Sequence, residues 1–138
     1  MHMHSNMQYQ VYSTDIVSSG VQDYVISSSG ITRTRHPDML GRYSIIALDR
    51  NRRIYKQDDA KFYLMYMDNA WLVGDEAGTI LRRPMSSWNH TVPDEGWSYR
   101  VGNVWTFDHS VKVDAIKSKS DVHVSIHWKM ITCILPRL

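Results

Sequence analysis

Apolar positions along this chain fall in short, strand-sized runs broken by Gly, Pro, Asn, Asp and Ser. The densest run is residues 61–67, KFYLMYM. On a strand, Phe62, Leu64 and Tyr66 point to one side, and Tyr63, Met65 and Met67 to the other. Both sides are apolar. The segment therefore reads as a central strand covered on both faces, or as one whose second face meets a partner. Asp68-Asn69 turns the chain, and residues 70–73 pair back with Trp71 and Val73 on one face. A helix through residues 61–73 is disfavoured by Asp68-Asn69 in mid-segment and by the aromatic content.

The same punctuation repeats elsewhere. Residues 24–26, 42–48, 53–56 and 79–83 read as strands, with turns at His36-Pro37-Asp38, Asp49-Arg50-Asn51 and Gln57-Asp58-Asp59 and a loop over residues 74–78. Residues 97–100 and 104–107 read as a hairpin around Gly102-Asn103. Residues 111–116 alternate apolar with polar, and residues 121–135 begin the same way. No segment offers a convincing helix. The pattern predicts an all-β protein, a mainly antiparallel meander forming a small sandwich or partly open barrel, with residues 42–83 as the central sheet. Residues 1–20, polar and Ser-rich, read as a flexible N-terminal arm in which Tyr9, Val11 and Tyr12 could add an edge strand. Residues 21–138 read as a single β domain.

Composition narrows the function classes. A chain of 138 residues with 43% hydrophobic and 22% charged positions is long enough for a core without disulfide staples. Its net charge of +2 is too small for a DNA-coating protein that works by displacing counterions. The lone Cys133 excludes an intrachain disulfide, and the first ten residues lack the basic and apolar regions of a signal peptide. A cytoplasmic or nuclear location is expected, although a secreted form already freed of its signal would read alike. No apolar run is long enough for a membrane-spanning helix, and the acceptor-like Asn89-His90-Thr91 reads as coincidence.

The chemistry of a catalyst is sparse. His123 and His127 share a strand face, but four residues of strand separate them by about 13 Å, too far for one ion. Asp108-His109-Ser110 has triad residue types but not the separated positions that triads use. Cys133 lies among apolar neighbours, and the pairs Asp58-Asp59 and Asp75-Glu76 fall in turns. No catalytic residue, metal ligand or cofactor is expected.

The spacing Gly41-x-Tyr43, Ile54-Tyr55-Lys56, Tyr63-Leu64-x-Tyr66, Trp71-x-Val73-Gly74, then Gly78, Ser86, Pro93 and Trp97 resembles a small β-rich repeat-type module of uncharacterised invertebrate and protist proteins. The resemblance covers residues 23–114 and implies a fold-level unit without an established activity. Met65, Met67, Arg82 and Arg83 depart from that pattern.

Aromatic and arginine residues supply the remaining candidates. Trp71 and Trp105 lie in apolar strand contexts and read as core. Trp88, beside Asn89 in the polar stretch 85–96, reads either as a plug or as an exposed anchor. The expected function is a non-catalytic interaction module for a protein or peptide, with self-association through Met65 and Met67 or glycan contact at Trp88 and Asn89 as variants. The alternative is a single-stranded RNA- or DNA-binding domain using Arg50, Arg52, Arg53, Arg82, Arg83 and exposed aromatics.

Overall fold

The computed structural model describes residues 6–11, 14–17, 22–49, 52–86, 91–118, 123–126 and 129–134. Strands dominate it: β1 (Asn6–Val11), β2 (Thr14–Val17), β3 (Gln22–Ser27), β4 (Gly41–Asp49), β5 (Arg52–Gln57), β6 (Tyr63–Met67), β7 (Ala70–Asp75), β8 (Gly78–Pro84), β9 (Ser98–Val101), β10 (Val104–Phe107), β11 (Lys112–Lys117), β12 (His123–Ile126) and β13 (Lys129–Ile134). The helical pieces among the described residues are α1 (Ile31–Arg35) and a 3-10 turn at Pro37–Met39. The fold is all-β, as the turn-punctuated pattern predicts.

Nine strands form one antiparallel sheet in the order β10-β9-β8-β7-β6-β5-β4-β3-β11. From β3 to β10 it is a meander, each strand pairing with the next. Asp68 and Asn69 take left-handed φ values of 54° and 60°, the conformation that a type I′ hairpin turn requires. The loop read over residues 74–78 is shorter in the structure, because β7 runs through Asp75 and β8 starts at Gly78. The run read as one alternating strand from residue 121 divides into β12, paired with β2, and β13, paired with β1. In both ladders the partner comes from residues 1–20, and β1 and β12 also lie against β4.

The two edges of the large sheet, β10 and β11, are consecutive in the chain. Laid flat, nine strands would hold those edges about 38 Å apart. The link from Phe107 to Lys112 reaches about 17 Å at most. The sheet therefore has to curl, and it forms a half-barrel.

Register sorts the residues between the two faces. Tyr55, Leu64, Val73, Leu81 and Tyr99 form one inward row, each paired to the next, and all belong to the buried core. Tyr66 and Trp71 lie in the next inward row, their rings edge to face at 5.8 Å. Ala47, Ile54, Met65, Met67, Ala70 and Leu72 occupy the opposite face and are buried as well. The strand with two apolar sides is thus covered on both. Gly74 sits at a register shift between β7 and β8. A Cβ there would collide with the Gly78 carbonyl oxygen and lie 2.8 Å from Thr79 Cα.

The curl is fastened at Asp108. Its buried carboxylate accepts hydrogen bonds from Thr32 N at 3.0 Å, Ser110 N at 2.9 Å, Ser110 Oγ at 2.7 Å and Ser28 Oγ at 3.2 Å. Its own N–H donates to the Trp97 carbonyl at 3.0 Å. Gly30 is packed so closely here that a Cβ would stand 2.7 Å from both Asp108 Oδ1 and Ser110 Oγ. This contact also explains a helical turn that the sequence conceals. The N-cap of α1 is Gly30, which has no capping side chain. Asp108, distant in sequence, meets the free N–H of Thr32 instead.

Burial alone would raise the pKa of Asp108, but the hydrogen bonds from Ser110 and Thr32 outweigh it and hold the carboxyl at about 2. A depressed folded-state pKa stabilises the fold above the unfolded value near 4 and stops doing so as pH falls through about 2. Denaturant titrations at pH 7 and at about pH 2 should show wild type losing roughly 1–2 kcal/mol through this group, given partial solvent screening. Asp108→Asn, which does not titrate, should lack that component. In a separate experiment at neutral pH, Gly74→Ala should cost about 1–3 kcal/mol by urea denaturation, because a rigid backbone rather than a flexible side chain meets the new methyl.

Candidate functional site

β10 is an edge strand, and its sequence, Val-Trp-Thr-Phe, contains neither a charge nor a proline. Edge strands are ordinarily protected by such residues. The hairpin that presents it turns at Gly102 (φ +59°) and Asn103, and it is closed by the pair Val101–Val104. In a two-residue hairpin the closing pair exchanges hydrogen bonds and alternate pairs follow suit. Val104 and Thr106 therefore bond back to β9, while Trp105 and Phe107 turn their N–H and C=O groups to the open edge. Large apolar side chains are exposed here too: Val104 is 64% and Phe107 49% accessible. At the other edge, β11 carries Lys112, Asp114 and Lys117.

Beside β10 lies an open groove of about 550 Å³, lined by Arg83, Asp94, Glu95, Gly96, Phe107, His109 and Lys112. It spans from one edge strand to the other, since Phe107 belongs to β10 and Lys112 to β11. Its wall is anchored. Trp97, fully buried, donates Nε1–H to the Pro93 carbonyl at 3.0 Å, and Val113 N donates to the Asp94 carbonyl at 3.0 Å. Arg83 donates to the Glu95 and Pro84 carbonyls, each at 2.8 Å. Gly96, at φ +87°, leaves room for that guanidinium, because a Cβ would lie 2.6 Å from Arg83 Nε. Lys112 pairs with Glu95 and lowers the carboxyl pKa, while Glu95 raises that of the lysine. The rings of Phe107 and His109 meet edge to face at 4.3 Å.

The candidates named from sequence scatter over this framework. Met65 and Met67, expected at a partner surface, are 2% and 1% exposed, so the interior claims them. Trp71 is core, as read. Trp105, also read as core, is instead half-buried on the outer face, under the Arg82 guanidinium at 4.5 Å from its centroid. Arg82 and Arg83 are adjacent on β8 and so turn to opposite faces. Arg82 shares an outward row with Leu72 and Ser98, and Arg83 faces inward opposite Trp71. Arg53 bears on the Tyr55 hydroxyl, whose pKa is pushed up chiefly by burial. The side chain of Arg52 and all of Arg50, Trp88 and Asn89 lie outside the described residues. Arg82 and Arg83, on opposite faces, do not form one patch. Asp108-His109-Ser110 forms no relay: Ser110 bonds directly to Asp108, and His109 turns to Phe107.

Phe107, Val104 and Lys112 were not singled out from the sequence, and His109 entered only with Asp108 and Ser110 as triad residue types. The hairpin bearing two of them was legible, but which strand ends as an edge depends on sheet order.

Comparison with protein-family models, curated proteins and solved structures returns no match. The residues that carry the resemblance to the repeat-type module have structural positions. Tyr43, Tyr55, Leu64, Tyr66, Trp71, Val73 and Trp97 are buried, and Gly74 serves the register shift. As they stand here, those residues form a packing pattern rather than a site.

An exposed ring contributes little to the fold. Phe107→Ala should therefore leave the unfolding free energy, read by urea denaturation, within about 0.5 kcal/mol of wild type, the range for surface changes. Trp97→Ala should cost about 3–5 kcal/mol, as for any large buried aromatic.

Proposed function

We propose that this protein is a non-catalytic interaction module that takes up an extended peptide segment of a partner protein, adding it as a strand along β10. The observation that carries this reading is the open edge itself, with the peptide groups of Trp105 and Phe107 facing out and the apolar side chains of Val104 and Phe107 exposed beside them. Strand addition draws its affinity from main-chain hydrogen bonds and its selectivity from alternate side chains. Phe107 and the stem of Lys112 offer apolar contact on the two flanks of the groove. Arg83 and the Lys112–Glu95 pair favour a segment with polar or mixed charge at positions that enter it. The anchored wall means that little order has to be gained on binding, which keeps the entropic cost low.

Peptides selected from a displayed random library on the immobilised protein supply a probe, and calorimetry supplies the affinity. Phe107→Pro removes the outward N–H without breaking a bond to β9, a substitution that edge strands accept. It should weaken a selected peptide at least about tenfold, the equivalent of 1.4 kcal/mol. Phe107→Ala, which retains the N–H, should weaken it less. Equal binding to wild type and Phe107→Pro would sink the strand-addition reading. Tight, steeply salt-dependent binding of a mixed oligonucleotide pool in the same assay would favour single-stranded nucleic acid instead.

A further inference from the structure

A second hollow, of about 370 Å³, lies where the turns after β5, β7 and β9 come together with the segment following α1. We propose that it binds a compact anion bearing a carboxylate or phosphate group. This inference does not rest on strand addition, and no residue of β10 lines the hollow.

Its charged lining comes from separate parts of the chain: His36, Lys61, Asp75 and Arg100. With the imidazole neutral, Lys61 and Arg100 against Asp75 leave a sum of +1. The one acid is already answered, since Lys61 Nζ stands 3.2 Å from Asp75 Oδ2. Arg100 is different. Its Nε donates to the Gly102 carbonyl at 3.0 Å and one terminal nitrogen to Asn103 Oδ1 at 3.4 Å. Both acceptors are neutral. The guanidinium is thereby oriented while its charge meets no carboxylate among the described residues, and N–H donors remain for a planar oxyanion.

The surroundings fit the same ligand. Tyr99 lines the hollow and is 6% exposed. Burial raises the pKa of its hydroxyl and Arg35 lowers it, which places a further guanidinium within electrostatic reach, with Asp38 acting in the opposite sense. The hydroxyl stays protonated near neutral pH and can donate. His36 Nδ1 engages Asp38, leaving Nε2 for another contact. A fixed guanidinium, a phenol and an imidazole beside the buried Gly78, Thr79 and Tyr99 distinguish this hollow from a solvated rim of charges.

The test is an amide-resolved NMR titration with inorganic phosphate and, in parallel, with citrate, each matched by sodium chloride at equal ionic strength. Saturable shifts confined to Gly78, Thr79, Tyr99, Arg100 and Gly102 are expected. The stronger of the two probes tells a phosphoryl ligand from a carboxylate. Arg100→Gln should weaken binding roughly tenfold, as loss of a charge-assisted hydrogen bond does. If that variant fails to fold, Lys61→Gln, whose parent side chain is 69% exposed, should weaken binding in its place. Absence of saturation, shifts that chloride reproduces, or unchanged affinity in a folded variant would overturn the proposal.

Discussion

A single buried carboxylate holds the open end of this architecture. Nine strands with their two edges only a short link apart have to bend, and bending a sheet leaves peptide groups at the seam without ladder partners. Asp108 stands at that seam. It gathers N–H and hydroxyl donors from the end of β3, from α1 and from its own turn, while its backbone holds the start of the link to Trp97. Such a group is costly to bury alone and stabilising when every lone pair is met. The short helix, the close packing at Gly30 and the placement of the groove wall all follow from it. Asp23 does related work on the far side of β3. Fully buried, it accepts from Arg42 at 2.8 Å and from Ile45 N at 3.2 Å, tying β3 to β4.

The aromatic residues have a common task. Tyrosines and tryptophans on the inward rows fill the concavity of the curled sheet, and several of them spend a polar atom on a segment that crosses it. Tyr43 donates to the Met39 carbonyl at 2.6 Å, Tyr66 to that of Met85 at 3.2 Å, and Trp97 to that of Pro93. Large rings supply volume, and their polar tips position the connections, including the wall beside the groove.

The strands were legible because their signals are local. Alternation, the aromatic content and the Asp68-Asn69 and Gly102-Asn103 turns each act within a few residues. The two-sided burial of residues 61–67 was legible for the same reason, although a covered face and a face awaiting a partner give one pattern; Met65 and Met67 belong to the former. What the sequence concealed is non-local. The cap of α1 arrives from 76 positions away. The edge status of β10 depends on which strand lies next to which, and Arg100, Lys61 and His36 meet only through three turns. Arginines adjacent in sequence looked like a patch, yet on a strand adjacency separates them, as Arg82 and Arg83 show.

The unguarded edge carries a consequence for the chain's own company. Val-Trp-Thr-Phe presents the same outward peptide groups to any extended segment, and a second β10 is such a segment. Antiparallel self-pairing through those groups would set Trp105 against Phe107 and Thr106 against itself, with no like charges to oppose it. A strand taken up by this edge would have another copy of the edge as a competitor, and crowding alone would then change how much of the surface is open.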